Sequence, residues 1–155
     1  MRIGITQTAD YQINHTLSED FFTGLAIAIQ RQTEWGYICR KTDAGYYLKP
    51  TFRNMPYRNS FVPEIFIEAA ENDGLTILHM RGRPVKIIRY FSAFFSFFCL
   101  LFQIDCFAIL FTCGMDNLIP LFIPAALFIF NYLLCKLGTK FSFRKVIEAI
   151  ENEFP

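Results

Sequence analysis

Histidine is scarce in this chain, and the scarcity excludes several chemistries at once. Only His15 and His79 are present, and neither lies in or beside a long apolar run. A haem held by histidine inside a membrane span is therefore excluded. The cysteines, at 39, 99, 106, 113 and 135, show no CxxC pairing. Four of them sit in apolar surroundings, where a thiol behaves as a small hydrophobe, so neither a structural disulfide nor a metal site is expected. There is no glycine-rich phosphate loop and no GxSxG elbow, and Ser60 has no histidine near it in sequence. No acid, base and nucleophile set is assembled, so an enzyme is not expected, nor any cofactor. The start, MRIGITQTADYQINH, lacks the apolar stretch of a secretory signal, so nothing is expected to carry the first domain outward.

Net charge is equally uninformative in total, at +1, but not in its placement. Residues 1–80 hold seven Lys or Arg against nine Asp or Glu, which gives nucleic-acid binding no support. The cations cluster elsewhere. Arg81, Arg83, Lys86 and Arg89 precede one long apolar run, and Lys136, Lys140, Arg144 and Lys145 follow a second.

The first run, residues 91–113, is interrupted only by Ser92, Ser96, Gln103, Asp105 and Thr112. As a helix it extends about 35 Å, enough for a hydrocarbon core of ~30 Å. The second run covers residues 118–137, and the Gly114-Met115-Asp116-Asn117 segment between them favours a tight turn. The spacing predicts a transmembrane helical hairpin. Cations on both flanks, against only Asp116 in the turn, predict that both termini face the cytoplasm. Membrane lipid is then the first expected partner.

The remaining residues read as an α+β domain. Thr16-Leu17-Ser18-Glu19 fits a capping box, and Phe21, Phe22, Leu25 and Ile29 follow on one helical face, predicting a helix over 17–32. WGYICR and GYYLKPTFR flank Thr42-Asp43-Ala44-Gly45, while EIFIEAAE and LTILHMR flank Asn72-Asp73-Gly74; both read as β-hairpins. After the second span, Phe143, Val146, Ile147, Ile150 and Phe154 share one face of an amphipathic helix, opposite Glu148, Glu151 and Glu153. So short a helix is marginal alone and should dock on the sheet or lie on the membrane surface. The expected architecture is thus a cytoplasmic α+β domain over 1–86, with one N-terminal helix and about four antiparallel strands. A transmembrane hairpin over 87–137 interrupts it, with spans at about 90–113 and 118–137, and an amphipathic helix over 138–155 follows.

Three groups of residues stand out. Ser92, Ser96, Cys99, Gln103, Cys106 and Cys113 fall on one side of the first span, and Pro124, Leu127, Asn131, Cys135 and Gly138 on one side of the second. Small residues let helices approach and amides bond across, so the two stripes are expected to pack together, with Gln103 opposite Phe128 and one turn from Asn131. Asp105 points away from that seam, which makes it a candidate contact with a second copy or another membrane subunit. Arg58, Asn59 and Ser60 put a cation, an amide and a hydroxyl in a row, a candidate site for a small anion, although asparagine and serine equally serve a turn.

The order of the TLS helix start, the Tyr57-Arg58-Asn59-Ser60-Phe61-Val62-Pro63 segment, the Gly74-Leu75-Thr76-Ile77 strand and the arginine-rich approach to a two-helix hairpin resembles a group of small, uncharacterised bacterial membrane proteins. One departure is Arg83-Pro84, where a histidine-proline pair would be expected. The resemblance implies a bacterial inner membrane and carries over no catalytic residue. Two classes follow: a membrane-anchored interaction or regulatory protein, or a small subunit of a transport or envelope-assembly complex acting through its hairpin.

Overall fold

The computed structural model describes residues 5–13, 19–33, 35–43, 45–51, 61–72, 75–113 and 119–153. Two compact units emerge: residues 1–85 with 138–155, and residues 86–137. The capping-box residues Thr16, Leu17 and Ser18 and the 114–117 turn lie outside the described residues.

In the first unit, β1 (Gln7–Ile13), β2 (Tyr37–Thr42), β3 (Gly45–Pro50), β4 (Pro63–Asn72) and β5 (Leu75–Pro84) form one sheet in the order β1-β5-β4-β3-β2, every neighbouring pair antiparallel. The expected count of about four strands is corrected to five. The added strand is the polar stretch QTADYQI, which has little apolar content to announce it and takes the sheet edge by pairing with β5. Helix α1 (Glu19–Thr33) connects β1 at one edge to β2 at the other. Both expected hairpins form, with Thr42 paired to Gly45 and Asn72 to Leu75. At Gly45 the backbone takes φ +134°, and an added Cβ would meet the Ile67 carbonyl, so glycine fits this site for two reasons.

One sheet face carries the core. Phe22, Leu25, Ala26 and Ile29 recur at helical spacing along α1 and pack with Trp35, Tyr37, Leu48, Ile65, Ile67, Leu78 and Met80. The Phe22 and Tyr46 rings stack at 3.5 Å between centroids. The same cluster takes Phe143, Val146 and Ile150 from the end of the chain, so the C-terminal segment docks on the sheet unit. Gly82 lies under the Phe143 ring, where a Cβ would clash. The core is therefore built from sequence on both sides of the 86–137 insertion.

The second unit is α2 (Lys86–Cys113) and the first part of α3. Helix α3 spans Ile119–Glu153 without interruption, which corrects the expectation of a separate helix after residue 137. Gly138 is a weak helix former flanked by Lys136, Leu137 and Lys140, which favour helix, and its cost of ~1 kcal/mol is too small to make a break. Two helices are long and apolar enough to cross a membrane: 25 residues from Lys86 qualify in α2 and 32 from Phe122 in α3. Along α2 the bulky side chains Phe91, Phe94, Phe97, Phe102 and Ile104 stand exposed.

Candidate functional site

The most ordered polar arrangement of the insertion lies between α2 and α3. Asn131 is buried on α3 and donates through Nδ2 to the Ser92 carbonyl (3.3 Å), to Ser92 Oγ (3.0 Å) and to Ser96 Oγ (3.4 Å). Its Oδ1 accepts a weak bond from the Cys135 thiol at 3.9 Å, one turn further along. Ser92 and Cys99 are buried beside it, as is Cys135, while Ser96, Gln103 and Cys106 are half-buried. These residues belong to a helix pair whose other faces are bare phenylalanine, leucine and isoleucine. An amide bonded across two helices in such surroundings fixes their rotation and register, because slipping either helix strands a polar group among hydrocarbon side chains.

The stripe assigned to the second span is only partly gathered there. Pro124, Asn131 and Cys135 are buried, but Leu127 is exposed, and Gly138 lies in the other unit, where an added Cβ would come 2.6 Å from the Phe61 ring. Asp105 is exposed on α2, and so are Ala108 and Thr112; the Thr112 hydroxyl donates to the Ala108 and Ile109 carbonyls at 3.1 Å. The side chain of Cys113 lies outside what the structure describes, as do the candidate anion-binding residues Arg58, Asn59 and Ser60. Their neighbours are placed: Val62 is buried, and Pro63 opens β4.

The sheet face opposite the core contains groupings that pattern reading did not find. Asp10 and His79 are register partners, and their side chains meet at 2.7 Å. Arg81 pairs with Glu68 at 3.4 Å, Arg83 lies over the Phe66 ring, and Phe66 stacks on Tyr47 at 4.7 Å. Each contact joins neighbouring strands, so only strand order and register could have predicted it. The charges are mutually matched and solvated, the ordinary condition of an open sheet face. Tyr37 differs: it is buried, its hydroxyl donates to the Pro63 carbonyl at 3.1 Å, and burial pushes its ionisation well above the usual tyrosine value. That fixes it as a neutral donor that ties β2 to the start of β4.

Among the described residues no group of three or more His, Cys, Asp or Glu could hold a metal ion. No family model, curated protein or solved structure matches the chain.

Proposed function

We propose that this chain is an integral protein of a bacterial inner membrane, anchored by the α2–α3 hairpin with both termini cytoplasmic, and that its α+β unit serves as an interaction or regulatory module without catalysis. The observation that carries this reading is the contrast within α2. Its bulky apolar side chains are bare, whereas Ser92, Ser96, Cys99, Gln103 and Cys106 turn inward to a bonded seam, which is the arrangement expected of a helix pair solvated by lipid. Cations on both flanks of the hairpin set its orientation.

Cysteine labelling tests it. In a variant lacking the native cysteines, Asn117→Cys should react with an impermeant thiol reagent added outside intact cells, and Asp43→Cys should be protected until the membrane is opened. Reaction at position 43 with none at 117 overturns the orientation, and release of the protein by alkaline carbonate overturns the membrane reading.

Within this reading a small anion at Arg58, Asn59 and Ser60 is the candidate ligand of the cytoplasmic unit. Arg58→Ala should then weaken phosphate binding and leave the melting temperature within about 2 °C, whereas a loss of folding in place of binding would make the residue structural. Asp105, a carboxylic acid on an otherwise apolar exposed face, favours a second reading, in which the chain is a small subunit of a transport or envelope-assembly complex that acts through its hairpin.

A further inference from the structure

Helix α2 carries two stripes with heptad spacing on opposite sides. The first, Ser92, Ser96, Cys99, Gln103 and Cys106, advances by intervals of four and three and is the side turned to α3, each member buried or half-buried. The second, Phe94, Phe98, Leu101, Asp105, Ala108 and Thr112, advances by the same intervals, and every member is exposed. At 100° per residue the six fall within about 80° of one another, and their centre lies about 160° from that of the first stripe. Repeats of four and three are what a second helix needs to stay in contact over several turns.

Asp105 distinguishes this stripe from ordinary lipid-facing surface. It lies about 21 Å of helix rise from Phe91 and about 12 Å from Cys113, well inside the apolar run. It makes no ion pair or hydrogen bond among the described residues. A carboxyl at such depth is costly to leave facing hydrocarbon, and nothing else on the stripe offers it a partner. The residues that follow it, Ala108 and Thr112, are small, so a neighbouring backbone can approach closest beside the carboxyl, while Phe94 and Phe98 hold it wider toward the other end.

We propose that two copies of the chain associate side by side in the bilayer through this stripe, their Asp105 carboxyls hydrogen-bonded to each other beside a two-fold axis along the membrane normal. Two identical chains inserted with the same topology bring Asp105 to the same depth without further requirement. Two carboxyl groups are self-complementary, the O–H of one donating to an oxygen of the other. A different membrane protein would need a donor matched to that depth, whereas a second copy supplies one by symmetry. The inference rests on the membrane reading given above and adds to it the partner and the face.

The test uses the full chain, labelled at its N-terminus with donor or acceptor dye and reconstituted in vesicles of phosphatidylethanolamine and phosphatidylglycerol. Energy transfer should persist on dilution with lipid until a definite protein-to-lipid ratio. Asp105→Leu should raise the dissociation constant by about threefold to thirtyfold, the range of one interhelical hydrogen bond in a membrane. Asp105→Asn, an amide that donates and accepts in the same place, should stay within about threefold of the original chain. In a background without native cysteines, Phe98→Cys and Ala108→Cys should crosslink between copies, and Leu100→Cys, off the stripe, should not. An original chain that is monomeric at every dilution, an unchanged Asp105→Leu variant, equal crosslinking at position 100, or crosslinking in native membranes to another protein in place of a second copy overturns the proposal. A chain that carbonate strips from the vesicles fails the membrane reading instead, so the two failures are told apart.

Discussion

Phe22 and Phe102 are the same residue in comparable helical settings, yet one is fully buried and the other is 65% exposed. The contrast runs through both units. In the sheet unit the large apolar side chains of α1, β3, β4 and β5 converge on one core, and the exposed face carries Asp10, Glu68, His79 and Arg81. In the 86–137 unit the order is inverted: phenylalanine and isoleucine stand outward, and Ser92, Asn131 and Cys135 turn in. A fold that buries its oily residues is organised by water. One that buries its small polar residues and bares its oily ones matches the arrangement expected in a medium without hydrogen-bond partners, the setting proposed above. A single chain of 155 residues carries both burial patterns, and the change falls between Pro84, the last residue of β5, and Lys86, the first of α2.

The sharpest way to break the comparison is to place one charge in each unit. Ile150→Asp puts a carboxylate among Phe22, Leu25 and Val146 and should unfold the sheet unit, a loss above ~3 kcal/mol. Trp35, the only tryptophan and part of that core, reports it by fluorescence. Ile129→Asp, on the bare face of α3, should leave the Trp35 signal native in detergent and reduce membrane insertion by ~2.5 to 3.5 kcal/mol. Equal loss of the tryptophan signal in both variants would erase the distinction between the units.

A smaller effect is expected at the seam. Asn131→Leu keeps the branched shape and removes the bonds to Ser92 and Ser96, at a cost of ~0.6 to 2 kcal/mol in hairpin stability measured by SDS titration, with the sheet unit unaffected. Stabilisation by leucine would mean that the amide specifies register without contributing affinity.

Smallest of all is Arg31→Ala. The Arg31–Glu153 pair spans 3.2 Å between exposed side chains of α1 and the end of α3, and its loss should change the melting of the sheet unit by less than ~1 kcal/mol. A larger loss would mean that the C-terminal turn is held by charge as much as by Phe143, Val146 and Ile150.

Particular residues mark how far the sequence could be read. The α1 face was legible from Phe22, Leu25 and Ile29, since helical periodicity needs only local spacing, and both hairpins were legible from their turn formers. Strand β1 was not, because Thr8, Asp10 and Gln12 alternate with Ala9 and Tyr11 too weakly to stand out before β5 offers a partner. The unbroken α3 was hidden by Gly138, whose local preference is overridden by the helix on either side. Of the candidate site residues, the phase of Ser92, Ser96 and Asn131 followed from the 3.6-residue repeat, whereas their bonding distances did not.

By itself the sequence determined what depends on spacing and composition: the helical faces, the hairpin turns, two runs long and apolar enough to cross a membrane, and the isolation of Asp105 on its stripe. Those are properties of neighbours along the chain. Only the tertiary structure decided what depends on residues far apart in it. It paired Asp10 with His79 and Asn131 with Ser92, and it closed one core over segments on both sides of an insertion. Strand register and helix docking are set by the summed burial of many side chains, and no local stretch contains that sum.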